Sequence, residues 1–205
     1  MSANYLLVDT GCANLASVQS AIERLGFTVT ISDDTEAIAQ ADKVILPGVG
    51  NAQHAMQNLQ QKSLIHTLQQ LTQPVLGFCL GMQLMTRHSA ELSLNQANNT
   101  LVDCLNLIPT EIKALPSGKV RLPHMGWNTL TQVSNHPIFE GITVGDYFYF
   151  VHSFAAPISE YTIASCEYGI NFSAAIAKNN FVGCQFHPER SGKLGSKIIE
   201  NFLTM

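Results

Sequence analysis

Two short segments hold residue types able to cleave an amide. In Gly77-Phe78-Cys79-Leu80-Gly81 a cysteine stands between two glycines. G-x-C-x-G is the thiol form of the nucleophile elbow, a sharp strand-to-helix turn that presents a reactive side chain above a sheet. Small neighbours are needed because backbones come close at such a turn, and the nucleophile sits in strained geometry. The turn also sets the sulfur at the N-terminus of the following helix, where the helix dipole favours thiolate over thiol. A free cysteine titrates at roughly pH 8.5, so that help matters at neutral pH. The second segment is Gln185-Phe186-His187-Pro188-Glu189. A thiol nucleophile needs a base within reach, and the base needs a third group to fix its tautomer. Pro188 stiffens the link and favours an extended His187, so the two side chains can converge on one edge of a sheet. Carboxyl ends of strands are where active sites collect in open α/β sheets.

Each segment has a plainer reading. Cys79 fits a buried structural cysteine between packing glycines, and His187 with Glu189 fits a surface loop in a chain with seven histidines. In the order Cys, His, Glu the two segments reinforce each other. The other cysteines read as packing: Cys104 in an apolar run, Cys166 and Cys184 in strands, Cys12 in a glycine turn without an elbow pattern. His54, His66, His88, His124 and His136 read as surface or packing residues, and no pair of them looks like a metal site.

The elements that must position these residues alternate in the first half. Strands are expected at Tyr5 to Val8, Phe27 to Ile31, Lys43 to Leu46 and Val75 to Phe78. A helix with Asn14 as cap and Gly26 as stop is expected after the first strand. A helical stretch carries Ala55, Met56 and Leu59, then Leu64, Ile65 and Leu68, and a further helix begins after Cys79. This β-α alternation implies an α/β fold with a mostly parallel central sheet and helices on both faces. The second half reads as antiparallel strands laid on or beside that sheet: Leu101 to Ile112, Val120 to Trp127, Tyr147 to Val151, Thr162 to Cys166, Phe172 to Ala177 and Phe181 to Phe186. Pro116-Ser117-Gly118 and Lys178-Asn179-Asn180 are turns between them. Gly192 to Met205 reads as a closing helix, and Ser89 to Thr100 is the least determined segment.

With 205 residues the chain suits one domain over 1–205. Charged residues make up 13% and hydrophobic ones 46%, which argues against disorder. The net charge of −4 and scattered basic residues argue against nucleic acid as a partner. No apolar run reaches the length of a membrane span, and the run from Tyr5 to Val8, with no positive n-region before it, is too short to be expected as a signal segment. Five cysteines without metal-type spacing fit a reducing compartment, the cytoplasm by default.

The Cys79 elbow and His187-Pro188-Glu189 make the chain similar to the class I, triad-type glutamine amidotransferases, whose sheet has a flavodoxin-like arrangement. Four further segments narrow the resemblance: Pro47-Gly48-Val49-Gly50, Pro123-His124-Met125-Gly126-Trp127-Asn128, Tyr149-Phe150-Val151-His152-Ser153 and Arg190-Ser191. With these it resembles the glutaminase subunits of imidazole glycerol phosphate synthases of histidine biosynthesis. The resemblance implies glutamine hydrolysis by Cys79, His187 and Glu189 without metal or organic cofactor. It implies an oxyanion site at Gly48, Val49, Gly50 and Leu80, and glutamine binding by Gln83, Glu91, His152 and Ser153. Trp127, Tyr149 and Arg190 match positions facing a TIM-barrel cyclase, the partner in a heterodimer, which receives the ammonia. From the sequence alone Trp127 also fits a core tryptophan and Gln83 a surface residue. A glutaminase serving another synthase, a stand-alone cysteine amide hydrolase and a non-catalytic binding subunit are the rival readings.

Overall fold

The computed structural model describes residues 3–91, 101–118 and 120–205. Most of the uncertain Ser89 to Thr100 segment, residues 92–100, lies outside the described residues. In the first half, strands β1 (Tyr5–Val8), β2 (Val29–Ser32), β3 (Lys43–Leu46) and β4 (Val75–Phe78) alternate with helices α1 (Leu15–Glu23), α2 (Thr35–Gln40), α3 (Ala52–Gln61), α4 (Leu64–Gln69) and α5 (Leu80–Leu84). Asn14 caps α1 by accepting from the Ser17 amide, as its type predicts. The second half supplies β5 (His88–Ser89), β6 (Val102–Asp103), β7 (Glu111–Ala114), β8 (His124–Val133), β9 (Tyr147–His152), β10 (Phe154–Ala155), β11 (Thr162–Glu167), β12 (Asn171–Lys178) and β13 (Phe181–Cys184), then helix α6 (Gly192–Thr204).

Nine strands form one sheet in the order β2-β1-β3-β4-β13-β12-β11-β8-β9. The first five run parallel and the rest join antiparallel. A small sheet, β10-β7-β5-β6, lies apart from it. Strand alternation sorts the apolar side chains onto two faces. Leu6, Val8, Val44, Leu46 and Val75 pack with α2, α3, α4 and α5. Leu7, Ile45, Leu76 and Phe78 pack with α1 and α6. Helices on both faces, as expected, enclose the middle of the sheet.

Four expectations need correction. Helix α2 was not expected: it buries only Ile38, so no periodicity reveals it, although Asp34 caps it at Ala37. The stretch over Ala55 to Leu68 is two helices, broken at Ser63, whose φ is 58°. Leu101 to Ile112 is no continuous strand. Its amides at Leu105, Asn106, Leu107 and Ile108 donate to carbonyls of Leu84, Thr86 and Met85, so the apolar run closes off the end of α5. Val120 to Trp127 becomes a strand only from His124 onward, and then continues to Val133.

Parallel β3, β4 and β13 are neighbours in register, Leu46 facing Gly77 and Phe78 facing Cys184. Their carboxyl ends therefore open side by side. The chain leaves β3 into Pro47 to Gly50, leaves β4 into Cys79, and leaves β13 into Gln185 to Glu189.

Candidate active site

Cys79 adopts φ 49° and ψ −107°, a conformation that L-residues avoid, between the end of β4 and the start of α5. Two contacts hold it there. Its amide donates to the Cys184 carbonyl at 2.8 Å, tying the elbow to β13. Gly81 packs so tightly on β3 that a Cβ would overlap the Leu46 carbonyl oxygen. The helix that follows has five residues, so its dipole is a short one. The amide of Leu80 lies in its first turn, where no carbonyl of the helix can satisfy it.

His187 and Glu189 meet across Pro188: Nδ1 of the ring lies 2.8 Å from Oε1 of the carboxylate. Both side chains are over nine-tenths buried. The carboxylate can only accept when ionised, so Nδ1 carries the proton and Nε2 is left to face the Cys79 sulfur. Burial opposes charge on the ring, but the hydrogen bonds and charges of Cys79 and Glu189 outweigh it and raise the His187 pKa to about 10. Glu189 Oε2 is buried without a partner among the described residues. The backbone is pinned as well. The His187 amide donates to the Tyr149 carbonyl at 2.9 Å. The Ser191 hydroxyl donates to the His187 carbonyl at 2.7 Å and accepts from the Tyr149 amide at 2.9 Å.

A cavity of about 310 Å³ opens above these residues. Val49, Gly50, Cys79, Leu80, Gln83, Glu91, His152, Ser153, His187 and Arg190 are among the residues that line it. Gly48 is not among its lining residues; a Cβ there would press on Leu80 and Gly81, so the glycine allows close packing against the start of α5. Glu91 stands with its Oε2 3.3 Å from the Ala52 amide at the start of α3, and burial raises its pKa. Gln83 is buried, not on the surface. The Val49 amide does not face the cavity: it donates to the Cys12 carbonyl at 2.7 Å.

Trp127 and Tyr149 lie outside the cavity on the paired strands β8 and β9, ring centroids 6.0 Å apart. The Arg190 guanidinium stacks over the Tyr149 ring at 4.7 Å. Trp127 is 54% exposed, which removes the core-tryptophan reading, and Met125 beside it is 63% exposed. Sequence reasoning missed Ser191 as a clamp, and missed the use of the Cys12 backbone. Neither leaves a signal in residue type, because one acts through a hydroxyl on backbone and the other through a carbonyl. Among the described residues no group of three His, Cys, Asp or Glu side chains could hold a metal ion. Nor is any described helix long and apolar enough to cross a membrane.

Residues 6–205 match the family model for class-I glutamine amidotransferases. The chain is 69% identical to imidazole glycerol phosphate synthase subunit HisH of Colwellia psychrerythraea, over all of this chain and 94% of that protein. It is 55% identical to the subunit of the same name from Photobacterium profundum, over 98% of this chain and 96% of that one. Among solved structures, PurLQS from Thermotoga maritima superposes with a TM-score of 0.70 over 99% of this chain and 98% of that one, at 18% identity. A structure described as a glutamine amidotransferase gives 0.71 over 97% and 96%, at 14% identity, so the likeness in fold reaches well beyond the likeness in sequence. A cysteine elbow, a histidine paired with a glutamate and a matching fold thus accompany full-length kinship, and the chain belongs to the class-I glutamine amidotransferase family.

Proposed function

We propose that the chain is the glutaminase subunit of an imidazole glycerol phosphate synthase, acting as one unit over residues 1–205 in the cytoplasm. Its free cysteines suit that compartment. The observation that carries the reading is the meeting of Cys79, in its strained elbow, with a His187 that is hydrogen-bonded to Glu189 on the floor of one cavity. Thiolate Cys79 attacks the side-chain amide carbon of glutamine. The oxyanion that forms is held by the Leu80 amide and by an amide of the Gly48 to Gly50 segment. His187 Nε2 passes a proton to the departing ammonia, leaving a thioester. Water, deprotonated by His187, then releases glutamate and restores the thiol. Gln83, Glu91, His152 and Ser153 hold the substrate, the last two through backbone groups.

The ammonia passes to a TIM-barrel cyclase seated on Trp127, Tyr149 and Arg190, which builds imidazole glycerol phosphate and an aminoimidazole carboxamide ribotide. The bond from Val49 N–H to the Cys12 carbonyl supports a resting state in which one oxyanion donor is turned away. The test is Cys79→Ala, assayed for glutamate release in the complex with the cyclase. Activity should vanish while folding and partner binding persist; more than a trace of turnover refutes Cys79 as nucleophile.

A further inference from the structure

Behind the cavity a buried chain of hydrogen bonds runs through two glutamine side chains. The Phe154 carbonyl, which can only accept, takes one bond from His152 Nδ1 at 2.9 Å and one from Gln83 Nε2 at 3.0 Å. That fixes which end of the Gln83 amide is nitrogen. The same Nε2 gives its other hydrogen to Gln185 Oε1 at 3.0 Å. Gln185 is thereby fixed too, with its Nε2 aimed at the Cys79 sulfur, 3.7 Å away. Gln185 is fully buried and Gln83 nearly so. With both Gln83 hydrogens taken, its Oε1 is the atom left to turn to the cavity that Gln83 lines.

We propose that Gln185 is a positioning residue of this site: its amide locks Gln83 with Oε1 presented to an N–H of the substrate, and gives the Cys79 sulfur a neutral hydrogen-bond donor. The inference rests on Cys79 and Gln83 having the roles proposed above. The sulfur's other close polar neighbour is the Val151 backbone carbonyl, 3.7 Å away, which accepts from the thiol. Gln185 is a donor to the sulfur that adds no charge beside His187. A charged donor there would repel the imidazolium; an amide does not. The titratable and charged groups facing the sulfur across the cavity are His187, His152, Glu91 and Arg190. Gln185 itself does not titrate, so its removal shifts the behaviour of the sulfur and not the number of ionising groups.

The experiment follows alkylation of Cys79 by iodoacetamide in the full chain, read at the peptide level so that Cys12 does not interfere, across pH and with increasing L-glutamine as protectant. Gln185→Met is expected to move the alkylation curve to higher pH and to slow the reaction at pH 7 by about tenfold, the effect of one hydrogen bond to a charged group. It should also raise the glutamine concentration needed for half-protection by about tenfold. Gln83→Met should weaken protection alike and, by freeing the Gln185 amide, move the pH curve in the same direction but by less than Gln185→Met does. The double variant should protect no worse than Gln185→Met, because the two amides act as a unit. A Gln185→Met protein with unchanged melting, the wild-type pH curve and wild-type protection overturns the proposal. If Gln185→Met melts early, Gln185→Glu takes its place. Its carboxylate still accepts from Gln83, but it cannot donate to the sulfur and sets a like charge beside it, so protection should stay within about threefold while the alkylation curve moves up by more than the loss of the donor alone would give. A wild-type curve for that variant overturns the proposal equally. Neither readout uses turnover, so failure of the nucleophile assignment, seen as an active Cys79→Ala, remains distinguishable.

Discussion

At the scale of single residues, the pairing of His187 with Glu189 decides which of them the reaction needs more. Glu189 reaches only Nδ1, so in the proposed mechanism it fixes the tautomer and stabilises the imidazolium, while His187 moves the proton itself. Glu189→Gln should therefore lower glutaminase kcat by about 10²-fold, and His187→Asn by at least about tenfold more. Steady-state glutamate release in the complex measures both. Equal losses would mean that Glu189 does more than orient, and wild-type activity in His187→Asn would remove the base. Cys79, His187 and Glu189 stand out in the sequence because the chemistry proposed for them depends on type and spacing: a glycine-flanked cysteine, and a histidine two residues from an acid. Gln185 stood in plain view one position before Phe186-His187 and was not singled out. Its function depends on which way an amide faces, and that is set by the Phe154 carbonyl on another strand.

At the scale of elements, β8 and β9 carry Trp127 and Tyr149 on one surface and a histidine pair on the other. His124 Nδ1 lies 2.9 Å from His152 Nε2, with the His124 ring stacked between Phe150 and Tyr168. Burial keeps both rings neutral, lowering the pKa of His124 to about 4 and that of His152 to about 3. Unfolded histidine titrates at about 6.5. Below that pH the unfolded chain binds protons that the folded pair refuses, so stability is full above pH 6.5 and falls as the pH drops towards the folded values. The loss should be on the order of 2 kcal/mol per histidine by pH 4.5. Thermal melts of wild type and His124→Gln at pH 7.5 and 4.5 check this. The variant should be less stable at pH 7.5 but lose less on acidification; an equal loss in both rules out His124 as a source. Strands β1, β3 and β4 and helix α1 were legible because each buries an apolar run or stripe of its own. Helix α2 and the Leu101 to Ile112 segment were not. The one shows a single buried apolar residue, and the other spends its apolar residues and amides on the end of α5, a tertiary use that local pattern does not reveal.

At the scale of the whole molecule, the cavity and the surface proposed to receive the partner are joined by backbone. The Tyr149 carbonyl accepts from the His187 amide, Ser191 bridges the same two residues, and Arg190 stacks on the Tyr149 ring. A partner that presses on Trp127, Tyr149 and Arg190 therefore acts on the segment that carries the base. Val49, which also lines the cavity, is 43% exposed, and its amide is held by the Cys12 carbonyl. Gly50, at φ 98°, gives the peptide next to it freedom that a β-branched residue lacks. Breaking one backbone hydrogen bond would allow that amide to swing towards the oxyanion. A freely running glutaminase would waste glutamine and lose ammonia to solvent, so the resting geometry suits a subunit that waits for its acceptor. The chain alone is expected to turn over glutamine very slowly, and the cyclase with nucleotide ligand in its own site to accelerate it. Restoring a single oxyanion donor accounts for about 10²–10³-fold, or roughly 3–4 kcal/mol; a larger activation would require movement of the His187 segment as well. Glutamate release is measured for the chain alone, with cyclase, and with cyclase plus its nucleotide substrate. Comparable rates in all three would refute the gate and favour a stand-alone amide hydrolase. A rise only in the third would place the trigger in the occupied partner and not in docking itself.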